Sequence, residues 1–282
     1  MNMLWTEKYR PTKLIQIRGQ DEFVLDAESW IKDPSMMTNL LLHGVAGTGK
    51  TTAALVLAKT ILGDESGGNF YEINASDDRK LEVVRTTIKE IATTRRLGDV
   101  PFKIVLLDEM DGMTRDAQNS LKRLMERYSE NCRFIITCNH SQRIISPLQS
   151  RCANYRFHRL QAHHIRIVLE TILQTEEINT VNTLELEAFI EGLSGDLRRG
   201  ITELQAAVAS NTPLLRQSEK LLRPYEELLK LVLFNKHEEA LEEVHKMLHK
   251  SLSMNEICIN LHDSIVKGDM EHSRKFKLLR VI

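Results

Sequence analysis

A chain of 282 residues, 42% hydrophobic and 27% charged, has room for two or three domains with buried cores and does not have the composition of a disordered or membrane-embedded protein. No stretch approaches the ~20 consecutive apolar residues needed to span a bilayer, and the polar, aromatic start from Met1 to Arg10 lacks the charged-then-apolar order of a secretory leader. With 38 basic and 39 acidic residues the net charge is −1, which excludes a surface coated for nucleic acid, so any DNA binding has to use a local patch.

Along the chain, Asn39-Leu-Leu-Leu-His43 reads as a short buried strand running into a glycine-rich loop, and Thr52–Leu62 as a helix. Phe70–Asn74 is a second strand. Leu81, Val84, Ile88 and Ile91 then recur at helical spacing and mark one face of a helix. Ile104–Leu107 is strongly apolar; Ala117, Leu121, Leu124 and Tyr128 trace another helical stripe before the strand Phe134–Thr137. Strands alternating with helices predict a mainly parallel sheet covered on both faces. Beyond Phe157 the strand signals stop. Gln161–Ser210 is helical with a break near Gly192–Gly195, Pro213 and Pro224 bracket a hinge, and Tyr225–Ile282 is helical again. Cys132, Cys138, Cys152 and Cys258 form no C-x-x-C pair, which disfavours a zinc site or a disulfide framework and fits a reducing compartment.

Gly44-Val45-Ala46-Gly47-Thr48-Gly49-Lys50-Thr51 matches G-x-x-x-x-G-K-[ST] in full, after a predicted strand and before a predicted helix. Backbone N–H groups of such a loop curl around phosphate oxygens, and the helix N-terminus adds partial positive charge. Lys50 is expected to reach the β- and γ-phosphates of ATP, and the Thr51 hydroxyl to ligate Mg²⁺. Asp108 and Glu109 end an apolar strand, on the edge where open α/β sheets bind ligands. Asp108 then holds the metal, and Glu109 polarises the attacking water. Asn139, just past the strand Phe134–Thr137, belongs to the same crevice, where a neutral amide orients water or contacts the γ-phosphate.

These motifs in this order resemble the AAA+ ATPases, and most closely the small subunits of replication factor C, the clamp loader. Trp5-Thr-Glu-Lys-Tyr-Arg-Pro11 looks like that family's W-x-E-K-Y-R-P box, Asn74-Ala-Ser-Asp77 like its N-A-S-D segment, and Asp108-Glu-Met-Asp111 like its D-E-A-D box. Ser150-Arg151-Cys152 is similar to its S-R-C signature and Gly195-Asp-Leu-Arg-Arg199 to its sensor 2 motif. The resemblance covers about residues 4 to 210. It departs from the pattern at Val45-Ala46, where the family usually has two prolines, at Met110 and Arg18, and in a C-terminal segment shorter than such collars generally are.

The resemblance implies an AAA+ nucleotide-binding α/β domain over 1–159, a helical lid over 160–217 and a collar segment for oligomerisation over 218–282. Tyr9, Arg10 and Pro11 then pack near the adenine and ribose, Arg198 reports the γ-phosphate to the lid, and Arg151 acts as an arginine finger on the neighbouring subunit's ATP. Asn74 restrains the glutamate until ligand binds. Arg79 on one helix, and Arg115 and Lys122 on the next, lie off the apolar stripes, and Arg85 flanks the first of them. By themselves they describe an ordinary solvated face; in a clamp loader these helices line a channel and follow the phosphates of primer–template DNA, a salt-sensitive and sequence-indifferent contact. The implied partners are a large subunit, copies or paralogues of this chain, a sliding clamp and DNA, with no membrane. The implied compartment is intracellular: cytoplasm or nucleoid in an archaeal or viral system, nucleus in a eukaryotic one. Other AAA+ machines (a helicase loader or branch-migration motor) and a non-hydrolysing scaffold subunit are the alternatives.

Overall fold

A computed structural model of the chain describes residues 3–75, 81–178, 181–234, 236–249, 254–267 and 275. Five strands form one sheet: β1 (Leu40–Gly44), β2 (Phe70–Asn74), β3 (Lys103–Asp108), β4 (Cys132–Cys138) and β5 (Ala153–Phe157). They lie in the order β2–β3–β4–β1–β5, and every neighbouring pair is parallel. Around them run helices α1 (Trp5–Lys8), α2 (Asp21–Lys32), α3 (Lys50–Leu62), α4 (Leu81–Thr93), α5 (Arg115–Arg127) and α6 (Ser146–Gln149).

The segments Leu40–Leu42 of β1, Ile104–Leu107 of β3 and Phe134–Ile136 of β4 are apolar without interruption because both faces of these central strands are covered, and successive side chains point to opposite faces. Leu40 and Leu42 of β1, Ile104 and Leu106 of β3 and Ile135 of β4 join one core with Phe23, Ala27 and Trp30 of α2 and Ala54 and Leu57 of α3. Leu41, Val105, Leu107, Phe134 and Ile136 join a second core with Ile88 and Ile91 of α4 and Leu121, Leu124 and Met125 of α5. Phe23 makes edge-to-face and tilted contacts with Trp30, Tyr155 and Phe157, binding α2 to β5. Lys103, fully buried at the start of β3, donates to the carbonyls of Ile91 (2.8 Å) and Thr94 (2.9 Å), so an ammonium closes the C-terminal end of α4. Its burial pushes its pKa below that of an ordinary lysine.

The chain forms two compact units. Met1–His164 and Asp196–Arg198 make the first; Ile165–Gly195 and Arg199–Ile282 make the second. After β5 come α7 (Ala162–Thr175), α8 (Thr183–Gly192), α9 (Leu197–Ala209), α10 (Leu214–Leu233), α11 (His237–His249) and α12 (Met254–Lys267). Asn182 caps α8 by accepting the Glu185 N–H at 2.8 Å. Tyr225, Leu228, Ala240, Met247 and Ile257 knit α10, α11 and α12 around a small core of their own.

One expectation is corrected here. Pro213 and Pro224 do not bracket a hinge. Pro213 sits extended (φ −56°, ψ 138°) just ahead of α10, where a missing N–H costs nothing, and α10 continues through Pro224. Packing of α10 against α8, α11 and α12 holds the helix across the one hydrogen bond that Pro224 cannot make. Helices α1 and α2, strand β5 and the break between α7 and α8 are further elements beyond those that the periodicity predicts.

Candidate active site

The sheet order decides where the functional side chains meet. Strand β4 lies between β1 and β3, with Leu42 beside Thr137 and Leu107 beside Ile136. The loop leaving β1 and the acids leaving β3 therefore flank the end of β4 at the carboxyl edge of the sheet. Gly44, Gly47 and Gly49 have φ of 144°, 78° and 92°, and this glycine-only backbone path folds the loop back before α3 begins at Lys50. Thr48 donates to the Val45 carbonyl at 2.8 Å and closes the loop on itself.

Lys50 is 8% exposed, and its three donors are all used: Gly44 O at 2.8 Å, Val45 O at 2.9 Å and Asn139 Oδ1 at 2.9 Å. Burial pushes its pKa down, while the carboxylates of Asp108, Asp111 and Glu109 pull it back up. Thr51 donates to Asp108 Oδ1 at 2.9 Å, and the Thr137 hydroxyl donates to the same oxygen. Thr137 also accepts the Glu109 N–H at 3.2 Å. This threonine of β4 therefore fixes both acids, one through its side chain and the other through its backbone. Glu109 is left-handed (φ 54°, ψ 41°), a conformation that costs a non-glycine residue about 1 kcal/mol or more and turns its exposed carboxylate out of the strand direction. Asp111 accepts the N–H groups of Asn139 (3.4 Å) and His140 (3.2 Å), holding the loop after β4 against the turn after β3.

The donor set suits a hard cation. Thr51 Oγ1 and Asp108 Oδ1 converge as neutral and anionic oxygens, and among the described residues no group of three His, Cys, Asp or Glu side chains forms a cage. Magnesium is typically held in this way, by one or two protein oxygens with phosphate completing its shell.

Comparison with known proteins agrees with this geometry. The AAA family, "ATPase family associated with various cellular activities", matches residues 40–160. The replication factor C small subunit of Methanococcus vannielii is 39% identical over 290 residues, covering 100% of this chain and 91% of that protein. That of Methanoregula boonei is 41% identical over 283 residues, covering 98% and 87%. This chain belongs to the replication factor C small-subunit family. It is thus an AAA+ ATPase of the clamp-loader type, acting in DNA replication. Among solved structures, the Holliday junction branch migration motor RuvB of Thermotoga maritima aligns with a TM-score of 0.63 at 15% identity, over 81% of this chain and 80% of that one. That likeness shows a shared fold.

The remaining family motifs fall in several places. Arg151 follows α6, exposed, with Nε donating to Glu126 Oε1 of α5 at 2.7 Å, a second contact from Nη2 to the same oxygen, and Nη1 donating to Pro147 O at 2.7 Å. Arg198 is exposed, in the short segment Asp196–Arg198 that packs with the α/β unit. Tyr9, Arg10 and Pro11 are half-buried. Tyr9 stands edge-on to the buried Trp5, and Arg10 pairs with Glu7 at 2.6 Å. Arg115 is exposed and Lys122 half-buried on α5; Arg79 and the side chain of Arg85 lie outside the described residues.

Two side chains of this site were missed from sequence. Thr137 reads there as a β-branched strand filler. Gln118, 1% exposed, donates to Met113 O (3.2 Å) and Arg143 O (3.1 Å) and accepts the Ile145 N–H (2.9 Å). It thereby ties α5 to the turn after β3 and to the segment that leads into α6 and Arg151.

Proposed function

We propose that the chain loads a ring-shaped sliding clamp onto primer–template DNA as one ATPase subunit of a multi-subunit loader, with Mg²⁺-dependent hydrolysis coupled to that loading. The observation that carries the catalytic part is the junction at β4, where Lys50 meets Asn139 and Thr51 and Thr137 meet Asp108, joining three loops in one site. In this reading the loop Gly44–Thr51 holds the phosphates. Lys50 exchanges its carbonyl partners for phosphate oxygens, and Thr51 and Asp108 hold the metal. Bound Mg²⁺ would neutralise phosphate charge and complete the hold on the triphosphate. Glu109 takes the proton of the attacking water, with Asn139 orienting that water.

Arg151 acts outward on a neighbouring subunit's nucleotide, its planar guanidinium suited to charge developing on phosphoryl oxygens. Arg198 contacts the nucleotide of its own subunit, and Tyr9, Arg10 and Pro11 border the base. Arg115 and Lys122 follow DNA phosphates, with Arg79 and Arg85 assigned the same part. The division 1–159, 160–217 and 218–282 into nucleotide domain, lid and collar belongs to the same reading, as do an intracellular site of action and partners comprising a large subunit, further small subunits and the clamp.

The test is an ATPase assay on the assembled complex, with and without primed DNA and clamp, beside Lys50→Ala and Arg151→Ala. Lys50→Ala is expected to lose nucleotide binding. Arg151→Ala is expected to keep binding and lose most turnover. An ATPase rate indifferent to DNA and clamp at low salt refutes the coupling to loading.

A further inference from the structure

We infer that Glu126 is the positioning residue for Arg151: it holds the guanidinium in one orientation at the surface, and turnover of the neighbouring subunit's nucleotide depends on that hold. The inference rests on the reading of Arg151 given above and assigns its aim to a residue outside that reading.

Both ends of the contact stand on fixed backbone. Glu126 lies in the last turn of α5, directly after Leu124 and Met125, which are buried in the core beneath the helix. Arg151 follows α6, a single turn anchored by the fully buried Leu148 and by Gln149, whose amide donates to Ser141 O at 3.0 Å and to Ile144 O at 2.8 Å. The Arg151 backbone N–H donates to Leu148 O at 3.1 Å. Two anchored supports thus bring an acid and a base together across 25 positions of sequence.

The geometry of the pair separates holding from masking. An arginine carries five N–H groups in a planar fork. Glu126 Oε1 takes the side of the fork, with Nε donating at 2.7 Å and Nη2 against the same oxygen, while Pro147 O accepts from Nη1 at 2.7 Å. One N–H on Nη1 and one on Nη2 are left over, and Arg151 makes no further hydrogen bond or ion pair among the described residues. A partner that masked the group would take those two. Here they remain for oxygens outside the subunit, which is what recognition of a phosphoryl group requires.

Exposure says what the pair contributes. The side chains of Arg151 and Glu126 are 36% and 49% exposed, and an ion pair so open to water adds little stability. Its contribution is order. A freely rotating arginine has to be immobilised each time it meets a phosphoryl group, whereas one already gripped at two points has lost that freedom beforehand. Immobilising one such side chain corresponds to about three- to tenfold in rate.

The experiment measures kcat and KM for ATP on the assembled complex with primed DNA and clamp, together with nucleotide binding and thermal unfolding. It compares the unmodified chain with Glu126→Ala, Glu126→Gln, Arg151→Ala and the double variant Glu126→Ala/Arg151→Ala. Glu126→Ala is expected to lower kcat about three- to tenfold with KM, nucleotide binding and Tm unchanged. Glu126→Gln, which keeps an acceptor oxygen in place, should lie closer to the unmodified chain than to Glu126→Ala. The double variant should turn over no more slowly than Arg151→Ala, since the glutamate has nothing left to position. An unchanged or raised kcat in Glu126→Ala overturns the inference, the raised value because it makes Glu126 a restraint. So do a loss matched by weaker nucleotide binding or a lower Tm, no recovery with glutamine, and a double variant slower than Arg151→Ala. If Arg151→Ala itself retains full turnover, the reading of Arg151 fails and takes this inference with it. Loss of turnover in Arg151→Ala with none in Glu126→Ala overturns the inference alone.

Discussion

Replacing Gln118 by methionine should damage the protein more than replacing it by alanine, although methionine is nearer in size and apolar. Gln118 satisfies three backbone groups, Met113 O, Arg143 O and Ile145 N–H, from a position 1% exposed. Methionine fills the volume, offers no donor, and keeps water from the three groups. At about 1 to 3 kcal/mol for each unsatisfied buried group, and with the carbonyls at the low end, the cost comes to roughly 4 kcal/mol. Alanine leaves a polar hole large enough for one water, which needs two to four polar partners and finds three. Its cost should fall to about 2 kcal/mol. The assay is urea or thermal unfolding followed by circular dichroism; in a unit of this size methionine should lower Tm by on the order of 10 °C and alanine by about half of that. If Gln118→Met matches the unmodified chain, or alanine proves worse than methionine, the assignment of Gln118 as a hydrogen-bonded tie is refuted.

Three further outcomes are expected. Because burial holds Lys50 below the ordinary lysine value of 10.5, nucleotide affinity should fall on the alkaline side before pH 10.5; Lys50→Arg, always charged, should bind more weakly but lose that alkaline limb in a pH titration of binding. Burial raises the thiols of Cys132 to about 11 and of Cys138 and Cys152 to about 12, so at pH 8 all three should react with a thiol reagent only slowly until urea is added, as peptide mapping would show. Gly44→Ala should destabilise the α/β unit by several kcal/mol, since its Cβ would sit 2.2 Å from the Phe157 backbone oxygen at a φ of 144°; a melting temperature within a few degrees of the unmodified chain would contradict the tight pairing of β1 with β5.

What was legible in the sequence was local. The loop Gly44–Thr51 and the pair Asp108–Glu109 are contiguous motifs, and strands such as Ile104–Leu107 announce themselves by being apolar on both faces. The contacts that make one site of them are not local. Thr137 reaches Asp108 across 29 positions and Lys50 reaches Asn139 across 89, and these follow from β4 being inserted between β1 and β3. No periodicity reports a strand order. Strand β5 was obscured for another reason: Ala153-Asn-Tyr-Arg-Phe157 carries polar residues, and its burial pattern shows Asn154 and Arg156 exposed, as suits an edge strand. Pro224 misled because a proline normally ends a helix, and here packing against three other helices outweighed that preference.

The placement of β4 also has a metric consequence. Strands in a sheet are about 4.8 Å apart, so the gap between the ends of β1 and β3 is about two such steps, whatever the loops contain. The distance from the group that grips phosphate to the acids that act on metal and water is therefore gauged by the sheet. Loop positions such as Val45 and Ala46 are free to vary without altering that span. A one-residue deletion within β4 would not shorten it either; it would turn Thr137 and its apolar neighbours to the wrong faces, and the gauge would be lost together with the core.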